Sequence, residues 1–185
     1  MRGLLVGRFQ PFHEGHLRLL RHIRDSFRPE ALFVGIGSAQ HSHTFRNPFT
    51  AGERFEMILR VLREEALPDT WPVPVPDVDR HAVWVAHVAS LLPPFEEVYS
   101  NDPLTRHLFE SAGYRVPELP LFERTEFQGT LIRERMREGR PWETLVPPPV
   151  RRYLEEIKGA ERVRMLARSV EAFRTRPEVP HHDAP

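Results

Sequence analysis

Gly3-Leu-Leu-Val-Gly7-Arg-Phe-Gln-Pro-Phe-His-Glu-Gly-His16 opens the chain, and Leu17, Leu20, Ile23 and Phe27 follow it at helical spacing. A short apolar run bounded by glycines, then a turn, then a period near 3.6 predicts strand, loop and helix. Ala31-Leu-Phe-Val-Gly-Ile-Gly37 repeats the buried-strand pattern. Two such strands joined by a helix make a βαβ unit, whose strands run parallel with a right-handed crossover.

Working outward, Thr50-Ala-Gly-Glu53 has capping-box spacing and predicts a helix from about Ala51. Ala82–Leu92 has a helical apolar pattern, Glu97–Ser100 reads as a short strand, and Asn101-Asp-Pro103 offers a cap with proline in the first turn. Val116–Leu121 is expected to be a last strand and Thr130–Arg137 a short helix, with Thr130 as its cap. Val150–Ile157 and Glu161–Phe173 are expected helices separated by Gly159. The proline clusters at Pro68–Pro76, Pro93–Pro94, Pro117–Pro120 and Pro147–Pro149 read as stiffened loops. The alternation predicts an α/β fold: a doubly wound, Rossmann-like parallel sheet with a helical C-terminal extension. One domain is expected over residues 1–173, its extension beginning near residue 147, with residues 174–185 as a disordered tail.

Composition narrows the chemistry. Lys plus Arg and Asp plus Glu both total 26, so no basic excess points to nucleic acid. The chain has no cysteine, which removes disulfides, thiolate metal sites and thiol nucleophiles. With no signal peptide and no apolar run near the ~18 residues of a membrane span, a soluble cytoplasmic protein is expected.

The loop from Gly7 to Gly15 leads a strand into a helix N-terminus, where unpaired N–H groups and a partial positive charge make an anion site. Arg8, His13 and His16 could donate to phosphate oxygens there, Gly15 would let the backbone approach, and Pro11 would stiffen the bend. The bland alternative is that the two histidines only cap a helix or fill space. Loops at Gly7–His16, Gly37–Thr50 and Ser100–Pro103 all follow strands, so they would converge on one crevice at the carboxyl ends of the sheet.

The segment matches Gly-x-Phe-x-Pro-x-His-x-Gly-His and so resembles the nucleotidyltransferase superfamily, whose histidines contact the nucleotide triphosphate. Gly129-Thr-Leu-Ile-Arg133 resembles that superfamily's later Ser/Thr-x-x-Arg signature at a helix start. Ile36–Gln40, Ser42–Thr44, Asn47–Arg54, Trp84-Val85 with His87, Pro93–Phe95 and Val98–Ser100 add likeness to the archaeal-type nicotinamide-mononucleotide adenylyltransferases, from Arg2 to about Ala167.

That resemblance implies transfer of AMP from ATP to nicotinamide mononucleotide, giving NAD and pyrophosphate, with Mg²⁺ carried on the ATP phosphates. It implies that Arg8, His13, His16 and Arg133 face the triphosphate and that Arg46 holds a phosphate. Trp84 would stack on the nicotinamide ring. Gly7, Phe9, Gly15, Ser38, Gln40, His81, Gly129 and Thr130 would complete the binding surface. His81 stands where the family usually has asparagine, and Gln128 where it usually has serine, so the choice between nicotinamide and nicotinate mononucleotide stays open. Similar proteins form homo-oligomers, including hexamers. The first signature alone would also permit an adenylyl- or cytidylyltransferase for another phosphorylated acceptor, or a non-catalytic NAD- or ATP-sensing module.

Overall fold

A computed structural model of the chain describes residues 1–120 and 128–174. Strand β1 (Arg2–Gly7) leads into helix α1 (Glu14–Ser26), and β2 (Ala31–Ile36) is followed by α2 (Ala51–Glu64). Then come β3 (Thr70–Pro74), α3 (His81–Leu91), β4 (Glu97–Tyr99) and α4 (Pro103–Ser111). Helix α5 (Gly129–Glu138), a 3-10 turn (Glu143–Leu145), α6 (Pro148–Glu156) and α7 (Gly159–Arg174) complete the described chain. The tail expected to be disordered lies, from residue 175 onward, outside the described residues.

The strands form one parallel sheet in the order β3-β2-β1-β4. Alternation along each strand sends side chains to two cores. Leu5, Leu32, Val34, Ile36 and Tyr99 pack on one face with residues of α1, α2 and α5 to α7. Leu4, Phe33, Val75 and Val98 pack on the other with Val88 of α3 and Phe109 of α4. The crossovers through α1 and α2 stay on the first face; the one through α3 carries the chain to the far side of β1. The strand order therefore reverses between β1 and β4, and a crevice opens beyond their carboxyl ends, where such sheets hold ligands.

Local chemistry explains several boundaries. Thr50 Oγ1 accepts from Glu53 N–H at 3.1 Å while Glu53 Oε2 accepts from Thr50 N–H at 2.9 Å, the reciprocal box that starts α2. Asp102 Oδ2 accepts from Thr105 N–H at 2.8 Å with Pro103 in the first turn of α4. Gly139, at φ +69°, ends α5 in the left-handed conformation that glycine adopts without steric cost.

Two readings of the sequence need correction. Thr70–Pro74, expected as a stiff loop, is an edge strand paired with β2. Val75 N–H donates to Ile36 O at 2.9 Å, so by alternation the N–H groups of Trp71 and Val73 also face β2. Pro72 and Pro74 then fall on the open edge, where a missing donor costs no ladder bond. The strand expected at Val116–Leu121 is absent from 116 to 120, and Leu121 lies outside the described residues. Pairing stops at one parallel bridge, Glu97 to Arg115. Pro117 and Pro120 supply no N–H, and the Arg106 guanidinium takes the carbonyls of Val116 and Pro117 at 3.2 and 3.0 Å. Among the described residues, no helix is long and apolar enough to cross a membrane.

Candidate active site

The loop that leaves β1 is folded back by two long-range latches. The buried Gln10 side chain pairs reciprocally with the backbone of Phe49: Nε2 donates to Phe49 O at 2.9 Å, and Phe49 N–H donates to Oε1 at 3.0 Å. Its own carbonyl accepts from Arg133 Nη1 on α5 at 2.7 Å. The segments come close enough that a Cβ on Gly7 would meet the Phe9 ring at 2.8 Å, and one on Gly129 would meet Gln10 O at 3.0 Å.

His13 is the N-cap of α1, and His16 sits one turn in. Their rings stack at 3.5 Å between centroids. His16 Nδ1 accepts from His13 N–H at 3.2 Å, so in the neutral ring the proton resides on Nε2, which becomes a donor. Phe9 and Phe12 pack against His16 with centroids 4.7 and 5.2 Å away and hold the ring in place. Burial lowers the His13 pKa to about 3, and burial with the neighbouring His13 holds His16 well below its ordinary value. Both are therefore neutral near pH 7. Helix capping and phosphate donation are therefore compatible: Nδ1 of His16 caps while Nε2 remains available.

Arg8, Arg46 and Arg133 share a cleft of about 160 Å³ with His13, His16, Gly129 and Thr130, and no carboxylate lines it. Their mutual repulsion adds to the cost of burial: Arg133 is pushed down to about 10 by burial and then by the charges of Arg8 and Arg46, and Arg8 is lowered by burial and Arg46. Such a concentration of guanidinium groups is stabilised by an anion. Thr130 is not the helix cap; Gln128 is, and Thr130 Oγ1 accepts from Arg133 Nη2 at 3.2 Å. The hydroxyl thus aims the arginine.

A larger cleft of about 530 Å³ adjoins this one at the switch point, lined by Gly7, Phe9, Gly15, His16, Ser100–Asp102, Pro120, Gln128 and Gly129. Its size lies within the ~300–1,000 Å³ range of small-molecule sites. A third hollow, about 410 Å³, is lined by Asp77, Asp79, His81, Trp84 and residues of α4. Trp84 is half-buried, edge-on to Phe109 at 5.4 Å, so it is both an edge of the core and a wall of this hollow. His81 is the first residue of α3 and is exposed at the rim.

Ser38 and Gln40 line none of these three hollows. They hold Asp77: Ser38 Oγ donates to Oδ2 at 2.6 Å, Ser38 N–H to Oδ1 at 3.2 Å, and Gln40 makes a two-way pair with the Asp77 backbone at 2.8 and 3.2 Å. The charge of Asp77, a residue of the Trp84 hollow, also acts on Arg8 and partly offsets the lowering by burial and Arg46. Sequence reasoning missed Asp77 because it ends a proline-rich stretch with no local pattern. Gln10 stood inside the decisive motif, yet its role depends on Phe49, far along the chain. Among the described residues no three His, Asp or Glu side chains gather to hold a metal ion. The donor set of the cationic cleft suits phosphate oxygens, so a divalent ion would fit here only as one carried by the phosphates.

The cytidylyltransferase-like family matches residues 4–135. A nicotinamide-nucleotide adenylyltransferase from Pyrococcus furiosus is 47% identical over 174 residues, covering 92% of each chain. One of the same name from Thermoplasma acidophilum is 48% identical over 166 residues, covering 90% of this chain and 92% of that one. Among solved structures, a bifunctional NMN adenylyltransferase/ADP ribose pyrophosphatase from Francisella tularensis, complexed with AMP and a manganese ion, superposes with a TM-score of 0.73 at 18% identity. That match covers 97% of this chain but spans only 57% of the other, and it supports the fold alone. With fold, motif and near full-length identity in agreement, the chain belongs to the nicotinamide-nucleotide adenylyltransferase family of cytidylyltransferase-like proteins.

Proposed function

We propose that the chain transfers AMP from ATP to nicotinamide mononucleotide, releasing pyrophosphate and forming NAD. The observation that carries this reading is the carboxylate-free cleft of Arg8, Arg46, Arg133 and the stacked His13–His16 pair. It shares Phe9, His13, His16 and Gly129 with a nucleoside-sized cleft, and a separate hollow of the same fold is walled by an indole.

In this reading adenosine occupies the larger cleft and the triphosphate the cationic one. The pyridine ring lies against Trp84, where a flat, electron-poor ring gains from an aromatic face. An oxygen of the mononucleotide phosphate attacks the α-phosphorus in line; that new O–P bond forms as the bond from the α-phosphorus to the bridging oxygen breaks, and pyrophosphate leaves. A phosphate monoester has a second pKa of about 6, so the attacking oxygen needs no strong base. His16 Nε2–H, Arg8, Arg46 and Arg133 neutralise charge that builds on the phosphates, and their fixed placement means little reorganisation in the transition state. A divalent ion, Mg²⁺ in this proposal, would add charge neutralisation on the phosphate oxygens when bound.

Homo-oligomer formation belongs to the same proposal. Family membership supports it, as does α3, which is apolar on most of its surface yet leaves Val83 and Leu91 41% and 40% exposed. Sedimentation or light scattering reads the stoichiometry directly.

The test of activity is the purified chain with ATP, Mg²⁺ and either nicotinamide or nicotinate mononucleotide, with dinucleotide and pyrophosphate measured together. Equal amounts of both products are expected. No dinucleotide from either acceptor rejects the reading, and turnover of a non-pyridine phosphate ester in preference to both would move the chain to another acceptor class.

A further inference from the structure

Arg54, in the first turn of α2, is fully buried at 0% exposure. Burying a guanidinium is expensive unless its donors are satisfied. Among the described residues no carboxylate forms a salt bridge with it, although the charge of Asp77 partly offsets the lowering of its pKa by burial. Four donations go to backbone carbonyls: Nε to Thr50 O at 3.2 Å, Nη1 to Arg8 O at 2.9 Å and Gly37 O at 2.7 Å, and Nη2 to Ser38 O at 3.1 Å.

The positions of those carbonyls matter more than their number. Arg8 is the first residue beyond β1; Gly37 and Ser38 are the first two beyond β2; Thr50 caps α2. One planar group therefore joins the carboxyl ends of the two central strands. From Arg8 the chain runs directly into the cationic cleft. From Ser38 the connection passes through the 2.6 Å bond to Asp77, a wall of the hollow that holds Trp84. A core side chain needed only for packing would not require a fork of donors aimed at both loop origins.

We propose that Arg54 is a positioning residue that sets the triphosphate cleft and the acceptor hollow at reacting distance from each other. It lines neither space, so it acts through Arg8 on one side and through Ser38 and Asp77 on the other. This inference rests on the adenylyl-transfer reading, because only a reaction between two bound substrates makes the spacing of two cavities consequential. Because Arg54 lines neither cavity, each is expected to keep its own walls when the clamp is altered. The cost then appears in the alignment of the attacking oxygen with the α-phosphorus, where a shift of about 1 Å is worth on the order of 100-fold in rate.

The test is Arg54→Lys, which keeps the charge but replaces a planar fork with a point donor. Steady-state kinetics are measured against ATP and nicotinamide mononucleotide beside the wild type. The expected result is a kcat lower by roughly 10- to 100-fold with both KM values within about threefold of wild type. A kcat within twofold of wild type overturns the proposal, and so does a loss confined to the KM for ATP, which would make Arg54 part of one loop only. If Arg54→Lys shows no cooperative melt, Ser38→Ala takes its place, removing the 2.6 Å bond from Ser38 Oγ to Asp77 while keeping the Ser38 carbonyl. A reduced kcat at near-constant KM supports the clamp, and wild-type kcat overturns it. Wild-type protein that makes no dinucleotide would reject the reaction itself, a result distinct from failure of the clamp.

Discussion

Arg133 on α5 donates through Nη1 to the carbonyl of Gln10 at 2.7 Å, so the guanidinium that faces the cationic cleft also holds down the loop carrying His13. Its Nη2 donates to Thr130 Oγ1, which aims the group. Arg133→Ala removes both actions and is expected to lower kcat/KM for ATP by roughly 100-fold, the scale seen when one preorganised donor is lost from a charge-stabilising site. Arg133→Lys should recover no more than about tenfold of that, because it restores charge without the fork. Initial-rate kinetics against ATP check both, and wild-type kcat/KM in Arg133→Ala would remove the residue from the site.

Part of the acid sensitivity should trace to buried His13, beside that of His16. With the folded His13 pKa lowered to about 3, the unfolded chain binds its proton first as pH falls below the ordinary value near 6.5. The unfolded state therefore binds more protons between these limits, and the stability His13 contributes is full above about 6.5 and lost as pH falls toward 3. Between pH 7 and pH 5 this group alone is expected to remove about 2 kcal/mol. Urea unfolding at the two pH values reads the loss, which should shrink by that amount in His13→Asn. An identical pH slope in the two proteins would contradict the burial of a neutral His13.

Trp84→Ala should raise the KM for nicotinamide mononucleotide by about tenfold while leaving the KM for ATP unchanged, since stacking a flat base on an aromatic ring is worth roughly 1–3 kcal/mol. Trp84→Phe should recover part of the loss. Equal rises in both KM values would mean that the indole serves the core beside Phe109 and has no role in acceptor binding.

The hollow proposed for the acceptor is lined by Asp77 and Asp79, and nicotinate mononucleotide carries an extra carboxylate where the amide stands. The amide form should therefore be used with the higher kcat/KM, by about fivefold to tenfold, the exposed position of Asp79 keeping the repulsion modest. Asp79→Asn should narrow the ratio. A preference for the acid form in the wild type would place these carboxylates away from the ring substituent.

Thr50→Ala removes the oxygen that accepts from Glu53 N–H and is expected to cost about 1 kcal/mol of stability, read as a lower urea midpoint at constant slope. An unchanged midpoint would show that Arg162, which grips Glu53 Oε2 at 2.7 Å from α7, holds the start of α2 without the box.

Legibility in the sequence followed the range of the interactions. The β1–α1 loop could be read directly because strand, turn, histidines and helix lie in one contiguous run, and the caps at Thr50 and Asp102 act within three residues. Thr130 was misread for the same local reason: a threonine near a helix start resembles a cap until its hydroxyl is seen turned toward Arg133. Gln10 with Phe49 and Ser38 with Asp77 are each joined across 39 positions, and no periodicity announces such a pair. Arg54 is the extreme case, since a charged residue opening an amphipathic helix reads as surface until the fold folds two loop origins over it. The strand at Thr70–Pro74 was hidden because prolines ordinarily forbid a strand, and only its place at the sheet margin lifts that prohibition.

Those prolines have a further effect on how copies of the chain can meet. A bare sheet margin is a template onto which another strand, from a second copy or a misfolded neighbour, can be laid. Pro72 and Pro74 leave the margin of β3 with acceptors but without the alternate donors that a zipper of backbone bonds requires. Continuing the sheet through β3 is thereby disfavoured, so that the prolines guard this margin against the strand-on-strand stacking of fibrillar aggregation.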